Sequence, residues 1–161
     1  MNPPVPPTGA VELRDVTATD LPILFEHQRD PEAARMAAFP SREKHHFHAH
    51  WTRILADPSL GKQTILYDGQ VAGNIVSFDQ SGVRQVGYWI GREYWGKGIA
   101  TRALALYLAY EPIRPLYAYV AKHNIGSRRV VEKCGFALVG EHQGTLDDGS
   151  PDVEEFIFRL A

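Results

Sequence analysis

Tyr88-Trp89-Ile90-Gly91-Arg92-Glu93-Tyr94-Trp95-Gly96-Lys97-Gly98-Ile99-Ala100-Thr101 is the stretch on which the reading of this chain turns. It leaves a run of strand character, Val83–Ile90, and passes two glycines set two residues apart. It then enters a helical pattern, Gly98–Glu111, in which Ile99, Ala103, Leu106 and Tyr110 share one face. The first N–H groups of a helix have no partner within the helix, and the helix dipole adds partial positive charge there, so a helix start is an anion site. Gly96 and Gly98 let the backbone approach a ligand that a Cβ would hold off. The ligand this chemistry favours is a phosphate or pyrophosphate.

Other phosphate loops fit less well. Gly91-x4-Gly96-Lys97 follows the ATP-binding P-loop for seven positions, but the eighth is Gly98, so the hydroxyl that would hold Mg²⁺ is missing, and no acidic strand end reads as its partner. Gly96-x-Gly98-x-x-Thr101 lacks the third glycine of the dinucleotide fingerprint and the acidic residue about 20 positions on. On the loop alone, a plain helix entry with turn glycines stays open.

Working outward, Val11–Thr17 alternates as a strand. Thr19 or Asp20 can cap a helix to about Arg29, Pro31–Pro40 reads as a broken helical segment, and Ser41 caps a helix to about Ala56 with Phe47, Trp51, Ile54 and Leu55 on one stripe. Thr64–Tyr67, Gln70–Phe78 and Val83–Ile90 form a meander around the turns Asp68-Gly69 and Asp79–Gly82. Pro112 and Pro115 end the helix after the glycine loop. Leu116–Ala121 is a strand, and Asn124 caps a helix that ends at Cys134 with Gly135 as its left-handed terminator. Phe136–Val139 and Val153–Leu160 are strands around a turn at Asp147-Asp148-Gly149. The order β-α-α-β-β-β-α-β-α-β-β predicts an α+β fold, a mixed sheet with helices packed on its faces.

The chain has 161 residues, 44% hydrophobic and 22% charged, which predicts one globular domain over 11–161 behind a proline-rich, disordered lead of residues 1–10. That lead lacks the basic and apolar regions of a signal peptide, and no apolar run reaches the roughly 18 residues needed to cross a bilayer. The single Cys134 excludes an internal disulfide framework and fits a reducing cytoplasm. A net charge of −2 lacks the basic excess of a nucleic-acid binder. Neither nucleic acid nor membrane is expected as a partner, and a homodimer is left open.

The glycine stretch resembles motif A of the GNAT acetyltransferase superfamily, whose core reads Gln/Arg-x-x-Gly-x-Gly/Ala. Gly96 and Gly98 match, while Glu93 stands where Gln or Arg is usual. The segment GYWIGREYWGKGIATRAL is close to the form found in the branch resembling ribosomal-protein N-terminal acetyltransferases. Asn124-x-x-Ser127 followed by Val131-Glu132-Lys133-Cys134-Gly135-Phe136 resembles that superfamily's motif B. The resemblance spans about Val11 to Leu160. It implies a GNAT-like fold, with a mostly antiparallel sheet of about seven strands splayed at the cofactor site. It implies acetyl-CoA as co-substrate, with no metal. Backbone N–H groups of Trp95, Gly96, Lys97, Gly98, Ile99, Ala100 and Thr101 would hold its pyrophosphate. The strand at Trp89-Ile90 would pair with the pantetheine arm, with Asn124 as cap and contact. The acceptor would be a primary amine on a small molecule or a protein N-terminus.

Direct transfer needs removal of the amine proton, stabilisation of the oxyanion and protonation of the leaving thiolate. Ser127 is the candidate for the last role, with a helix-capping hydroxyl as its plain alternative. A backbone N–H near Trp89 is the candidate oxyanion donor. Glu141 is the nearest carboxylate on the strand after motif B, and Glu93 and Tyr88 are further candidates for the base. His46 and His50 lie at i, i+4, but no third ligand with recognisable spacing joins them, so a polar flank beside the Phe47/Trp51 stripe is the simpler reading. Cys134, at a helix C-terminus, reads as core rather than nucleophile. A non-catalytic acyl-CoA-binding module of the same fold remains the alternative, because no clear base is visible.

Overall fold

The computed structural model describes residues 9–144 and 153–161, so most of the expected lead and the turn Asp147–Gly149 lie outside the described residues. The elements are β1 (Val11–Asp15), α1 (Leu21–Arg29), α2 (Pro31–Ala37), α3 (Lys44–Ala56), β2 (Gly61–Tyr67), β3 (Gln70–Gln80), β4 (Val83–Ile90), α4 (Ile99–Tyr110), β5 (Leu116–Ala121), α5 (Ile125–Lys133), β6 (Ala137–Gly144) and β7 (Val153–Leu160). Seven strands form one sheet in the order β1-β2-β3-β4-β5-β7-β6. The mixed, mostly antiparallel sheet expected from the sequence is therefore present.

One pair runs parallel. β4 meets β5 only at Arg84↔Leu116 and Gln85↔Tyr117. β5 then pairs along all six of its residues with β7 on its other edge. From Val86 onward β4 and β5 part, and the gap between them is the splay that the resemblance implies.

Helices cover both faces. On one, Ile99, Ala103, Leu104 and Tyr107 of α4 and Val131 of α5 pack on Ile65, Ile75, Val86, Leu116 and Phe158 of the sheet. On the other, Leu21 and Leu24 of α1 and Phe47 and Trp51 of α3 pack with Val16, Val71 and Val76. The stripe read from the sequence of α3 is thus a core face.

One helix start and one cap differ from the sequence reading, each because of a side chain distant in sequence. α3 begins at Lys44, not at Ser41. The Gln28 amide holds both backbone groups of Arg42, accepting from its N–H at 2.7 Å and donating to its C=O at 3.1 Å, which keeps this segment out of the helix. Asp20 stands at the N-cap position of α1 as expected, but its side chain makes no hydrogen bond to that helix. Its carboxylate accepts from the Thr17 N–H at 2.9 Å, from both Arg14 Nη atoms at 2.7 Å and from Thr64 Oγ1 at 2.8 Å. It fastens β1, β2 and the start of α1 together. Gly9 and Ala10, the end of the predicted lead, are also held, with their N–H groups donating to Asp68 at 2.9 Å each.

The Arg14 hydrogen bonds, helped by the Thr17 and Thr64 donors, outweigh burial and hold the Asp20 carboxyl down at about 2. A depressed carboxyl stabilises the fold above its unfolded value, near 3.9, and that stabilisation fades as pH falls toward 2. The shift corresponds to about 2 kcal/mol. Asp20→Asn is expected to lower unfolding free energy by about 2–4 kcal/mol at neutral pH, by denaturant titration. The gap to the parent protein is expected to narrow between pH 4 and pH 2, on the order of the shift itself.

Candidate active site

The glycine loop and α4 begin where β4 leaves the sheet. Gly96 and Gly98 have φ of +78° and +72°, the left-handed region that side chains with a Cβ enter at a cost. A Cβ at either position would meet nothing within 4 Å, so the space beside the loop is open. Arg102, one turn into α4, donates through Nη2 to the Lys97 carbonyl at 3.2 Å and through Nη1 to the Gly9 carbonyl. A planar peptide points its N–H opposite its C=O, so the clamp on Lys97 turns the Gly98 N–H away from Arg102.

That open space belongs to a cavity of about 380 Å³. Trp89, Ile90, Trp95, Gly96, Gly98, Ile99, Ala100, Thr101 and Asn124 line it, which is every cofactor residue expected from the sequence except Lys97, whose side chain is exposed beside it. A smaller cavity of about 110 Å³ occupies the splay between Val86–Tyr88 of β4 and Ala118–Ala121 of β5. Tyr88, Asn124, Ser127 and Ala37 line both cavities and mark their junction.

The edge of β4 that faces this junction follows from strand alternation. The Gly91 N–H donates to Ala72 of β3 at 2.8 Å. The Trp89 carbonyl also turns toward β3, so close that a Cβ on Gly73 would stand 2.1 Å from it. Successive residues turn their peptide groups to opposite sides of an antiparallel strand. Tyr88 and Ile90 therefore direct theirs into the splay, so of the backbone N–H groups near Trp89 it is these two that face it. The Ile90 carbonyl is taken by the Trp95 indole N–H at 2.9 Å.

Of the four catalytic candidates, the structure brings two together. Asn124 caps α5, accepting from the Ser127 N–H at 3.1 Å. This places Ser127 Oγ 2.6 Å from the Tyr88 hydroxyl. Glu141 is not there. It sits exposed on the edge strand β6, paired with Lys122 at 3.0 Å, and lines neither cavity. Glu93 is exposed and lies 3.9 Å from the buried His27. His46 and His50 line neither cavity, whereas Glu43, His45 and His46 cluster on the exposed start of α3. Cys134 is partly buried, with its Sγ 3.5 Å from the Thr101 carbonyl, and burial pushes its thiol up, away from reactivity.

Two further walls complete the cavity. Ala33, Met36 and Ala37 of α2 reach the cavity because the α1–α2 corner is tied to β4 and its loop. The Trp89 indole donates to the His27 carbonyl at 3.2 Å, and Arg92 pairs with Asp30 at 3.5 Å. Gly126, Arg129, Val130 and Lys133 of α5 form the opposite wall at i, i+3, i+4, i+7, a spacing that was readable beforehand.

Residues 10–137 match the model of the acetyltransferase (GNAT) domain, well over half of the chain, and the chain therefore belongs to the GNAT acetyltransferase family. Among individual proteins, it is 34% identical over 103 residues to YdaF of Bacillus subtilis (strain 168), whose name reads "Putative ribosomal N-acetyltransferase". That alignment covers 60% of this chain and 56% of YdaF. In fold, it is similar to a GNAT-family acetyltransferase from Bacillus anthracis, with a TM-score of 0.80, 17% identity and 96% of each chain covered. It is also similar to spermidine N-acetyltransferase from Vibrio cholerae in complex with CoA and spermine, with a TM-score of 0.78 and 16% identity over 92% of this chain and 94% of that one. No helix among the described residues is long and apolar enough to cross a membrane.

Burial pushes the Tyr88 phenol up to about 12, against the smaller opposing pull of the Ser127 hydrogen bond. It is a protonated donor throughout the neutral range and cannot serve there as a base. Its raised pKa stabilises the fold below pH 10 and ceases to do so as pH climbs from about 10 to 12. A difference titration of phenolate absorbance between the parent and Tyr88→Phe is therefore expected to show no Tyr88 ionisation until about pH 11.

Proposed function

We propose that this protein transfers an acetyl group from acetyl-CoA to a primary amine, on a small molecule or at a peptide or protein N-terminus, by direct attack in a ternary complex. The observation that carries this reading is the single cavity that has an anion-binding loop at one end and the Tyr88–Ser127 pair at the other. Relatives named for N-acetylation support it.

The residues fit the co-substrate. N–H groups from Trp95 to Thr101, with Lys97 beside them, hold the pyrophosphate at the start of α4. Open space over Gly96 and Gly98 admits it. The free edge of β4 at Tyr88 and Ile90 accepts the pantetheine arm as an added strand, bordered by Trp89 and Asn124. Acetyl-CoA supplies the activated thioester. An inward N–H of β4 stabilises the oxyanion formed as the amine nitrogen bonds to the carbonyl carbon. Ser127 donates a proton to sulfur as the C–S bond breaks and takes one in turn from the Tyr88 hydroxyl hydrogen-bonded behind it, which water reprotonates. The proton lost by the amine passes to water, since no carboxylate among the described residues lines either cavity.

Incubation with acetyl-CoA and a panel of amines, read as free thiol, tests the proposal. Release that requires an amine is expected, and binding without release from any amine would leave only an acyl-CoA-binding module. Ser127→Ala is expected to lower turnover by roughly 10- to 10⁴-fold with little change in CoA affinity. Gly98→Val, which fills the open space over the loop, is expected to abolish that affinity in a protein that still folds. Reliance on water as base favours acceptors that deprotonate easily. Near pH 7.5 roughly a third of peptide α-amines are neutral, against about one lysine in a thousand. Peptides with one free α-amine are expected to exceed matched lysine peptides in kcat/KM near neutrality. Equal rates would point to a strong base outside these residues.

A further inference from the structure

The two long faces of α5 carry charge in different ways. Arg128 is neutralised one turn on by Glu132, at 2.9 Å, and its guanidinium lies 4.9 Å from the centre of the Phe156 ring. The neighbouring stripe repeats the i, i+4 spacing with Arg129 and Lys133, both positive. Neither makes a hydrogen bond or ion pair with any described residue. Both line the large cavity, among whose described lining residues there is no carboxylate. Both side chains are exposed, so their like charges one turn apart weaken α5 only slightly, and an anion between them would reverse the sign of that effect.

The glycine loop does not supply that anion's site, because it binds through the peptide groups of a different element. The position of the cations along α5 tells which end of the cavity they serve. Ser127 marks the reacting end. Lys133 lies six residues on, about 9 Å along the helix axis. There α5 approaches the first turn of α4, where Cys134 Sγ contacts the Thr101 carbonyl. Lys133 thus stands toward the α4 end of the cavity, and Arg129 lies between it and the reacting end.

We infer that Arg129 and Lys133 form a second anion subsite, which takes the 3′-phosphomonoester on the ribose of CoA and makes the protein discriminate CoA from 3′-dephospho-CoA. This rests on the reading of the cavity as an acetyl-CoA site. A phosphomonoester is close to dianionic at neutral pH and offers three strong acceptor oxygens. The Arg129 fork can take two of them and the Lys133 ammonium a third. The diphosphate stays with the backbone of residues 95–101, so the two phosphate groups are read by different elements and can be lost separately.

Calorimetric titration of the full chain with CoA and with 3′-dephospho-CoA tests the inference. The parent protein is expected to prefer CoA by about ten-fold or more, the scale of one charge-assisted contact. Raising the salt should shrink that preference. In Arg129→Ala/Lys133→Ala the preference is expected to fall to about two-fold or less, with dephospho-CoA affinity little changed and Tm retained. Arg129→Lys is expected to keep part of it, because the charge survives without the fork. Equal affinity of the parent for the two ligands would overturn the inference, with no variant needed. So would a folded double variant that still prefers CoA. A parent protein that binds neither ligand would instead overturn the acetyl-CoA reading itself, and the subsite with it.

Discussion

Two neighbouring strands that touch at only one end create the site. β4 and β5 are joined at Arg84 and Gln85, and a buried polar cluster bolts this junction. Arg84 Nε donates to Glu111 Oε1 at 2.5 Å, its Nη2 reaches Ser77 Oγ at 3.3 Å, and Ser77 meets the Tyr107 hydroxyl at 2.6 Å. Gly61 lies so close that a Cβ there would stand 2.1 Å from the Tyr107 oxygen. Burial would raise the Glu111 carboxyl, but hydrogen bonds from Ser77 and Arg84 outweigh it and hold it below its ordinary value. A buried ion pair of this kind adds little net stability, yet losing one partner strands a charge in the core. Its effect here is positional. Glu111 follows the last residue of α4, so the bolt fixes one end of a helix about 18 Å long whose other end carries the glycine loop.

From that junction β5 follows β7 and β4 follows β3, and the gap between them opens toward the loop. The free edge of β4 is the consequence. An unpaired strand edge is normally a hazard that a fold covers. Here it stays open between α2 and α5, with the peptide groups of Tyr88 and Ile90 turned into it. Side chains fix the backbone around this edge: Arg102 holds the Lys97 carbonyl, Trp95 the Ile90 carbonyl, and Trp89 the His27 carbonyl of the adjoining helix. Arg129 and Lys133 stand apart from this pattern, since nothing described in the protein restrains them.

Short-range signals were legible. The glycines of the loop, the Asn124 cap and the Gly135 terminator each act on backbone groups within a few residues. The Ser127 N–H meets Asn124 at 3.1 Å, and the Phe136 N–H closes on the Val131 carbonyl at 3.1 Å, as the local sequence requires. The strands Val83–Ile90 and Leu116–Ala121 were likewise readable, because alternation and proline punctuation are local properties. Ser41 misled because the residue that overrules it, Gln28, acts on Arg42 from 14 positions away. Glu141 misled because closeness in sequence to motif B says nothing about which sheet edge a strand occupies.

What the sequence alone determined is therefore the family, the glycine loop at the start of α4 and the capped helix that carries Ser127. Each depends on backbone conformations that glycine, asparagine and proline impose on their immediate neighbours. Only the tertiary structure decided that β7 lies between β5 and β6, that α2 walls the cavity, that Glu141 stands outside it, and that Tyr88 and Ser127 meet at 2.6 Å. Tyr88 and Ser127 are 39 residues apart. A contact of that range is set by the packing of whole elements, and no local preference of either residue encodes it.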